Sequence, residues 1–407
     1  MINEFNQVLS VIIIVLFFIN VFVKNNNKDV FLITFISNGI GIIYYAYGGE
    51  LYRKPSDLSI QYMLYIILLV NFICLIYSMY FYKIGINRFD SRNVVLKQNK
   101  LVMYMLLIFF MAPLYYFIIF FDKFPIYYMI LGEVIGEGFR PDISGNIPMF
   151  YTFSVFLGSF TIPFLIQLYI IENKKNAKFF IIVVLLFLAI VSGDKSTLLI
   201  IVFYLSFIYG KVKLSKILIF GLFFIFFYLS VKFFYYQELT YSNTYEIFES
   251  FFRRICLIGP ATFGTYIDYF ILDNGTIPNE FSHIKQFLFY LIYGYKEGGA
   301  PVYFPASFLD IIGIGFFQIL FIGCLFLIIL ILRNIILKTY FGFFSESIKY
   351  LHFYGAIILA QGMLSDLFIR WFIPVICILI LDKILIMFKF NKERVNERFS
   401  FNNNPII

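Results

Sequence analysis

Arg253 and Arg254 stand side by side in FESFFRRICLIGPATFGTYIDYF, residues 248–270, in a chain that is 61% hydrophobic and only 14% charged. A guanidinium presents a planar fork of N–H donors that matches two oxygens of one anion, so two adjacent forks suit a group as highly charged as a diphosphate. The pair has a second reading: on an amphipathic helix the two arginines would hold its polar face against lipid phosphates. Other charges are thinly spread. Arg140 sits in GEVIGEGFRPD, a glycine-rich stretch suited either to close approach of a ligand or to a plain solvated turn. Asp194 and Lys195 lie at the tip of SGDKST between two short apolar runs, where charge is costly unless it is paired or functional. Asp366 and Arg370 bracket LFI one helical turn apart, which suits an ion pair.

The elements that must position these residues follow from composition. A chain of 407 residues with 57 Phe, 32 Tyr and a mean hydropathy of +0.86 holds more apolar surface than a water-soluble core can bury, so its solvent is lipid. Apolar runs near the length needed to cross a bilayer recur at about 8–23, 30–48, 59–82, 101–121, 148–171, 179–192, 197–210, 216–235, 305–332, 351–368 and 371–388. The expectation is an all-α polytopic membrane protein, one integral membrane domain over 1–407 with about eleven transmembrane helices. The run from Val8 to Val23 is too long for a signal-peptide core and lacks its basic flank and small-residue cleavage site, so it is read as a span. Lys and Arg crowd into alternate connections, including Lys24 and Lys28, Lys83 to Lys100, Lys174 to Lys178, Lys211 to Lys216, Arg333 with Lys338, and Lys389 to Arg398. The positive-inside rule makes these cytoplasmic, with the N-terminus outside and the C-terminus inside.

Two outer connections are long, 122–147 and 236–304, and long loops between helices call for a reason. In the second, YEIFESFFRRICLIG sets Phe248, Phe251, Phe252 and Ile255 at helical spacing, and HIKQFLFYLIYG repeats the theme. Both read as short amphipathic helices lying on the membrane. His352, at the cytoplasmic start of a span, reads as an interface residue.

Several classes are excluded. The +8 net charge is accounted for by orientation and calls for no nucleic-acid partner. Cys74, Cys256, Cys324 and Cys377 have no CxxC spacing, so neither a disulfide framework nor a zinc site is implied. SGDKST lacks the glycines of a phosphate-binding P-loop, with Asp194 and Ala189 at those places.

With its short-looped helices, one large late outer loop, SGDKST at 192–197 and GGAPVYFPASFLDIIGIG at 298–315, the chain resembles the Wzy-type O-antigen or capsule repeat-unit polymerases, and is similar to the related O-antigen ligases. Gly298 and Gly299 open the second motif. Arg253 followed by ten residues and Gly264 matches polymerase loops, and His283 followed by ten residues and Gly294 matches ligase loops. Ala306 and Ser307 depart from the family's Gly-Glu pair, and Asp310 is the acidic residue left there.

The resemblance implies transfer of a growing glycan from undecaprenyl diphosphate onto a second lipid-linked repeat unit, at the outer face of a bacterial cytoplasmic membrane. Arg140, Lys195, Arg253 or Arg254 would stabilise the leaving diphosphate without metal or cofactor. His283 is the outer histidine suited to be the base, with Asp194, Asp268 and Glu297 as rivals. Implied partners are the lipid-linked glycans, membrane lipid, a chain-length regulator and a flippase. Three other classes fit the composition: a lipid-linked oligosaccharide flippase, a polytopic lipid-phosphate-sugar glycosyltransferase, and a scaffold for polysaccharide export.

Overall fold

The computed structural model describes residues 2–22, 28–51, 53–81, 100–124, 148–191, 252–281, 284–294, 316–339 and 344–385, with the single residues 127, 131, 200, 201, 204, 205, 249, 303 and 342. Every regular element among them is a helix and none is a strand, as expected where the backbone must satisfy its own hydrogen bonds in lipid. The helices are α1 (Ile2–Phe22), α2 (28–46), α3 (Asp57–Phe81), α4 (Lys100–Ile119), α5 (Phe150–Ile171), α6 (Lys175–Val191), α7 (253–272), α8 (Ile284–Tyr293), α9 (Phe316–Thr339), α10 (Ser345–Gln361) and α11 (Leu364–Leu385).

Five of them, α1, α3, α5, α9 and α11, carry windows of 19 to 22 apolar residues, long enough to cross a membrane. At 1.5 Å per residue each window reaches about 30 Å, the thickness of the hydrocarbon core. The chain is built as a membrane-embedded protein. The runs expected at 197–210 and 216–235 lie almost wholly outside the described residues. The described helices do not repeat the expected spans one for one, because α7 and α8 fall inside the segment read as an outer loop.

The chain forms two compact units interleaved along the sequence. Unit 1 takes Met1–Asn87, Leu199–Ile335 and Phe353–Leu367. In it α1 and α3 run the same way in register: the Asn6 amide donates to the Asp57 carbonyl and the Asn20 amide to the Asn71 carbonyl, each at 3.1 Å and each across 51 residues. In an apolar seam such amides are the specific adhesive, since packing of hydrocarbon on hydrocarbon does not distinguish a helix from lipid. Helix α9 also runs with α3. Gly323 lies against Leu69 and Ile73, and further along Asn334 donates to the Tyr77 hydroxyl. Alternating charge assigns these three helices the same direction, and their contacts agree with one another.

Helix α7 is the element the sequence misread. Its residues 259–267 are all buried, so it has no lipid or solvent stripe over more than two turns. It runs antiparallel to α2: Phe252 meets the Tyr44 ring at 6.2 Å, Gly41 packs on the Cys256 carbonyl, and Gly259 faces Ser37 and Asn38. Its far end reaches the start of α3, where Gly264 lies against Pro55 and Met63. The stretch Gly259, Pro260, Ala261, Thr262, Gly264, Thr265 looked like loop, but small side chains are what lets two neighbouring backbones close on a helix from opposite sides. Helix α8 is amphipathic as expected, burying Phe287 and Leu288 against Tyr269 and Phe270 of α7.

Unit 2 takes Arg88–Leu198, Ile336–His352 and Phe368–Ile407. Aromatic rings join α4 to α5, with Phe109 stacked on Phe156 and Phe160 and Tyr116 on Phe153 at 4.4 Å. The start of α10 docks on α5, where the Ser347 N–H donates to the Gln167 side-chain oxygen at 2.8 Å and its hydroxyl to the Pro163 carbonyl.

Two readings are corrected. His352 is not an interface residue: it is buried, its Nδ1–H donates to the Ile348 carbonyl at 2.8 Å, and its ring meets Trp371 edge to face. Arg333 does not flank a span but lies 2% exposed inside α9, which continues to Thr339. Asp366 ion-pairs with Lys285 of α8 and accepts the Met363 N–H, beside the break in the chain at Gly362.

Candidate functional site

In unit 1, two wide helical turns pack against each other. One spans Phe35–Gly39 in α2, the other Arg253–Leu257 at the start of α7, and in each the closing bond reaches back five residues, Ile40 N–H to the Phe35 carbonyl and Ile258 N–H to the Arg253 carbonyl. Such π turns widen a helix by one residue, at a cost in packing that is commonly retained where a side chain must be re-aimed. Here they tighten onto glycine: a Cβ on Gly41 would collide with the Cys256 carbonyl, and one on Gly259 would stand 2.8 Å from the Asn38 side-chain oxygen.

Ser37 and Asn38 are buried at this junction. Asn38 donates to the Ala360 carbonyl at 2.7 Å, and the Gln361 amide reaches the Ser37 hydroxyl at 3.5 Å, so the end of α10 is tied to the α2 turn. Arg253 is half-buried on its π turn, beside the exposed Phe252. Arg254 continues the same turn through its backbone. Burial pushes the Cys256 thiol up to about 11, which keeps it protonated and removes it as a nucleophile near neutral pH. Tyr303, the described residue of the GGAPVYFP stretch, is buried edge-on against Phe263 at 5.5 Å, and burial pushes its phenol well above the ordinary range.

Asp268 lies at the opposite end of α7. Its carboxylate accepts the Ser56 N–H at 3.1 Å, the Ser56 hydroxyl at 2.5 Å and the Ser59 hydroxyl at 2.6 Å, while Ser56 itself accepts the Ser59 N–H. That is a capping arrangement at the N-terminus of α3, where a negative charge also complements the helix dipole. Fifteen residues of helix separate Arg253 from Asp268, on the order of 20 Å. A base and a diphosphate clamp serving one glycosidic carbon must lie within a few ångströms of it, so these two residues belong to different places.

The predicted glycines are structural where they are described. Gly264 gives room to Pro55 and Met63. Gly294 takes φ +80° and closes α8 by donating its N–H to the Tyr290 carbonyl at 2.8 Å, the common left-handed helix ending. Arg140, Asp194, Lys195, His283, Glu297, Gly298 and Gly299 lie outside the described residues. Among the described residues no group of three His, Cys, Asp or Glu is placed to hold a metal. Sequence reasoning missed Ser37, Asn38 and Gln361, although polar residues inside an apolar run, as in FISNGIG, are a usable signal.

Comparison with protein-family models, with curated proteins and with solved structures gives no match.

Proposed function

We propose that the chain is a polymerase that joins undecaprenyl-diphosphate-linked oligosaccharide repeat units into a surface polysaccharide, by glycosyl transfer at the outer face of the bacterial cytoplasmic membrane. The observation that carries this reading is Arg253: a half-buried cation on a π turn, at the start of a helix that is buried over residues 259–267, in a chain of apolar helices. In the reaction, a hydroxyl of the acceptor repeat unit attacks the anomeric carbon of the donor glycan. The bond from that carbon to the diphosphate oxygen breaks, and the diphosphate leaves with the electron pair. Arg253 and Arg254 stabilise the charge that develops on it. The proton of the attacking hydroxyl passes to a base, for which His283 is the side chain of suitable type in the same loop. Asn38 and Gln361 tie the α2 turn to the end of α10, and the same α2 turn packs on the turn that carries Arg253.

The flippase reading is less well supported, because the two compact units interleave along the chain instead of forming its first and second halves, as internal transporter repeats commonly do. The deciding experiment is a deletion strain. Its surface glycan should remain as single repeat units on the lipid anchor, displayed outside; accumulation of lipid-linked units on the cytoplasmic side would instead establish the flippase.

A further inference from the structure

The turn between α5 and α6 in unit 2 concentrates charge beside exposed apolar side chains. Helix α5 ends at Ile171, α6 begins at Lys175 and the two pack on each other, so residues 172–174 close a tight helical hairpin. Lys174 and Lys175 are exposed at this end. Lys178, further along α6, holds its Nζ 5.1 Å over the ring of Tyr169 in α5. Among the described residues none of the three lysines forms an ion pair. The carboxylate of the turn, Glu172, accepts the Asn173 and Lys174 N–H groups at 2.8 and 2.9 Å. Lys175, Phe179 and Val183 follow at helical spacing and so lie above one another on one face of α6. Phe179 and Phe180 are 70% and 66% exposed, and Val183 is exposed below them.

We infer that this end of α6 binds an anionic bilayer phospholipid, with its phosphate at Lys174 and Lys175 and its acyl chains along Phe179, Phe180 and Val183. Helical side chains tilt toward the N-terminus, which carries the Lys175 ammonium away from the bilayer interior, while Phe179 stands one turn deeper, about 6 Å along the axis. That is the order of a phospholipid, charged head above hydrocarbon. A zwitterionic lipid covers the same apolar side chains but leaves the lysine charge uncompensated, so the pattern favours a lipid of net negative charge. Each lysine close to such a head group is worth about fivefold in binding. An ammonium acts as a point charge, so the site requires charge at this level and not a guanidinium fork. Lys178 is held on Tyr169, which leaves Lys174 and Lys175 to meet the phosphate. Nothing in this site depends on the reaction proposed above.

The test is a tryptophan reporter, Phe180→Trp, in the full chain reconstituted into vesicles of phosphatidylcholine and phosphatidylglycerol, with one of the two lipids carrying brominated chains that quench a neighbouring indole. The native tryptophan, Trp371, is buried and contributes a constant background. Phosphatidylglycerol should be preferred at the reporter about twentyfold, and Lys174→Gln and Lys175→Gln should each reduce that preference about fivefold. Lys174→Arg and Lys175→Arg should keep it. A reporter at Ile328, exposed midway along α9, should be quenched equally by either lipid. Phe179→Trp repeats the measurement if Phe180→Trp folds poorly. Equal quenching by the two lipids at these α6 reporters overturns the site, and so does a preference that survives both Lys→Gln changes together. Loss of the preference in millimolar inorganic phosphate also overturns it, as the mark of an adventitious ion only.

Discussion

Each compact unit contains a pair of packed π turns, and in each pair one turn carries an arginine: Arg253 opposite Phe35–Gly39, and Arg370 opposite Leu157–Thr161. The joints are made differently. In unit 1 the backbones meet through glycine, beside the buried Ser37 and Asn38. In unit 2 the joint includes the bond from the Ser159 hydroxyl to the Arg370 carbonyl, set among phenylalanines, with Phe368 and Ile369 exposed beside it. The same backbone device therefore carries one arginine at a glycine-packed helix joint and the other over an aromatic ring, Tyr151 at 5.3 Å. An arginine on a wide turn is not by itself a site; what surrounds the turn decides its use.

The largest expected effect sets the two arginines against each other. Arg253→Ala should remove long glycan chains at normal protein levels, a loss of about a hundredfold or more in polymer formed, with Lys restoring only part because the bidentate fork is gone. Arg370→Ala should lower polymer only a few-fold. Measured side by side as chain-length distributions, equal losses would erase the distinction between the two turns.

The next effect concerns the joints. Gly41→Ala drives a methyl into the Cys256 carbonyl, a backbone atom that cannot swing aside, and should destabilise the protein by about 1–3 kcal/mol. Ser159→Ala removes one hydrogen bond and should cost about 1 kcal/mol. Thermal unfolding of the purified variants gives the order, and a larger loss from Ser159→Ala would mean that α7 is not pressed onto α2. Cys256 reports the same contact chemically. In a variant that keeps only this cysteine, a raised thiol pKa leaves less thiolate at pH 8, so alkylation of the folded protein should run on the order of a hundredfold slower than after denaturation. Fast labelling at pH 8 would return α7 to the membrane surface.

How much of this was legible depended on the kind of signal. The spans over α1, α3 and α5 could be read from apolar runs with polar ends, 59–82 against Asp57–Phe81 for α3, because lipid imposes that pattern on each helix separately. Helix α7 was not legible as interior, since its glycines, alanine and threonines are chosen by the backbones on either side of it. The break at Gly362 was placed too late because Asp366 and Arg370 resemble a helix end, when in fact Asp366 answers Lys285 from 81 residues away. Of the proposed site, Arg253 could be found by its type in the wrong surroundings. Asn38 stands out as a polar residue inside an apolar run, but its bond could not be read, as its partner Ala360 is 322 residues distant and no local spacing encodes it.

The smallest expected effect separates the two ends of α7. If Asp268 serves as the cap of α3, Asp268→Asn keeps an oxygen for one serine but gives up the charge and faces the Ser56 N–H with an amide, so stability should fall by about 1 kcal/mol. Polymer formed per folded molecule should stay near that of the wild type, because the carboxylate stands far from Arg253 along the helix. A general base gives the reverse balance, with stability kept and turnover reduced by about 10²–10⁴. The two quantities must therefore be read from the same preparation, unfolding temperature beside polymer yield with lipid-linked repeat units. Ser59→Ala, which removes a donor from the cap without touching the carboxylate, should repeat the small loss of stability and leave turnover alone. Should Asp268→Asn abolish turnover in a protein that unfolds at the wild-type temperature, the catalytic centre lies at the Ser56 end of α7 and the role assigned to Arg253 fails with it.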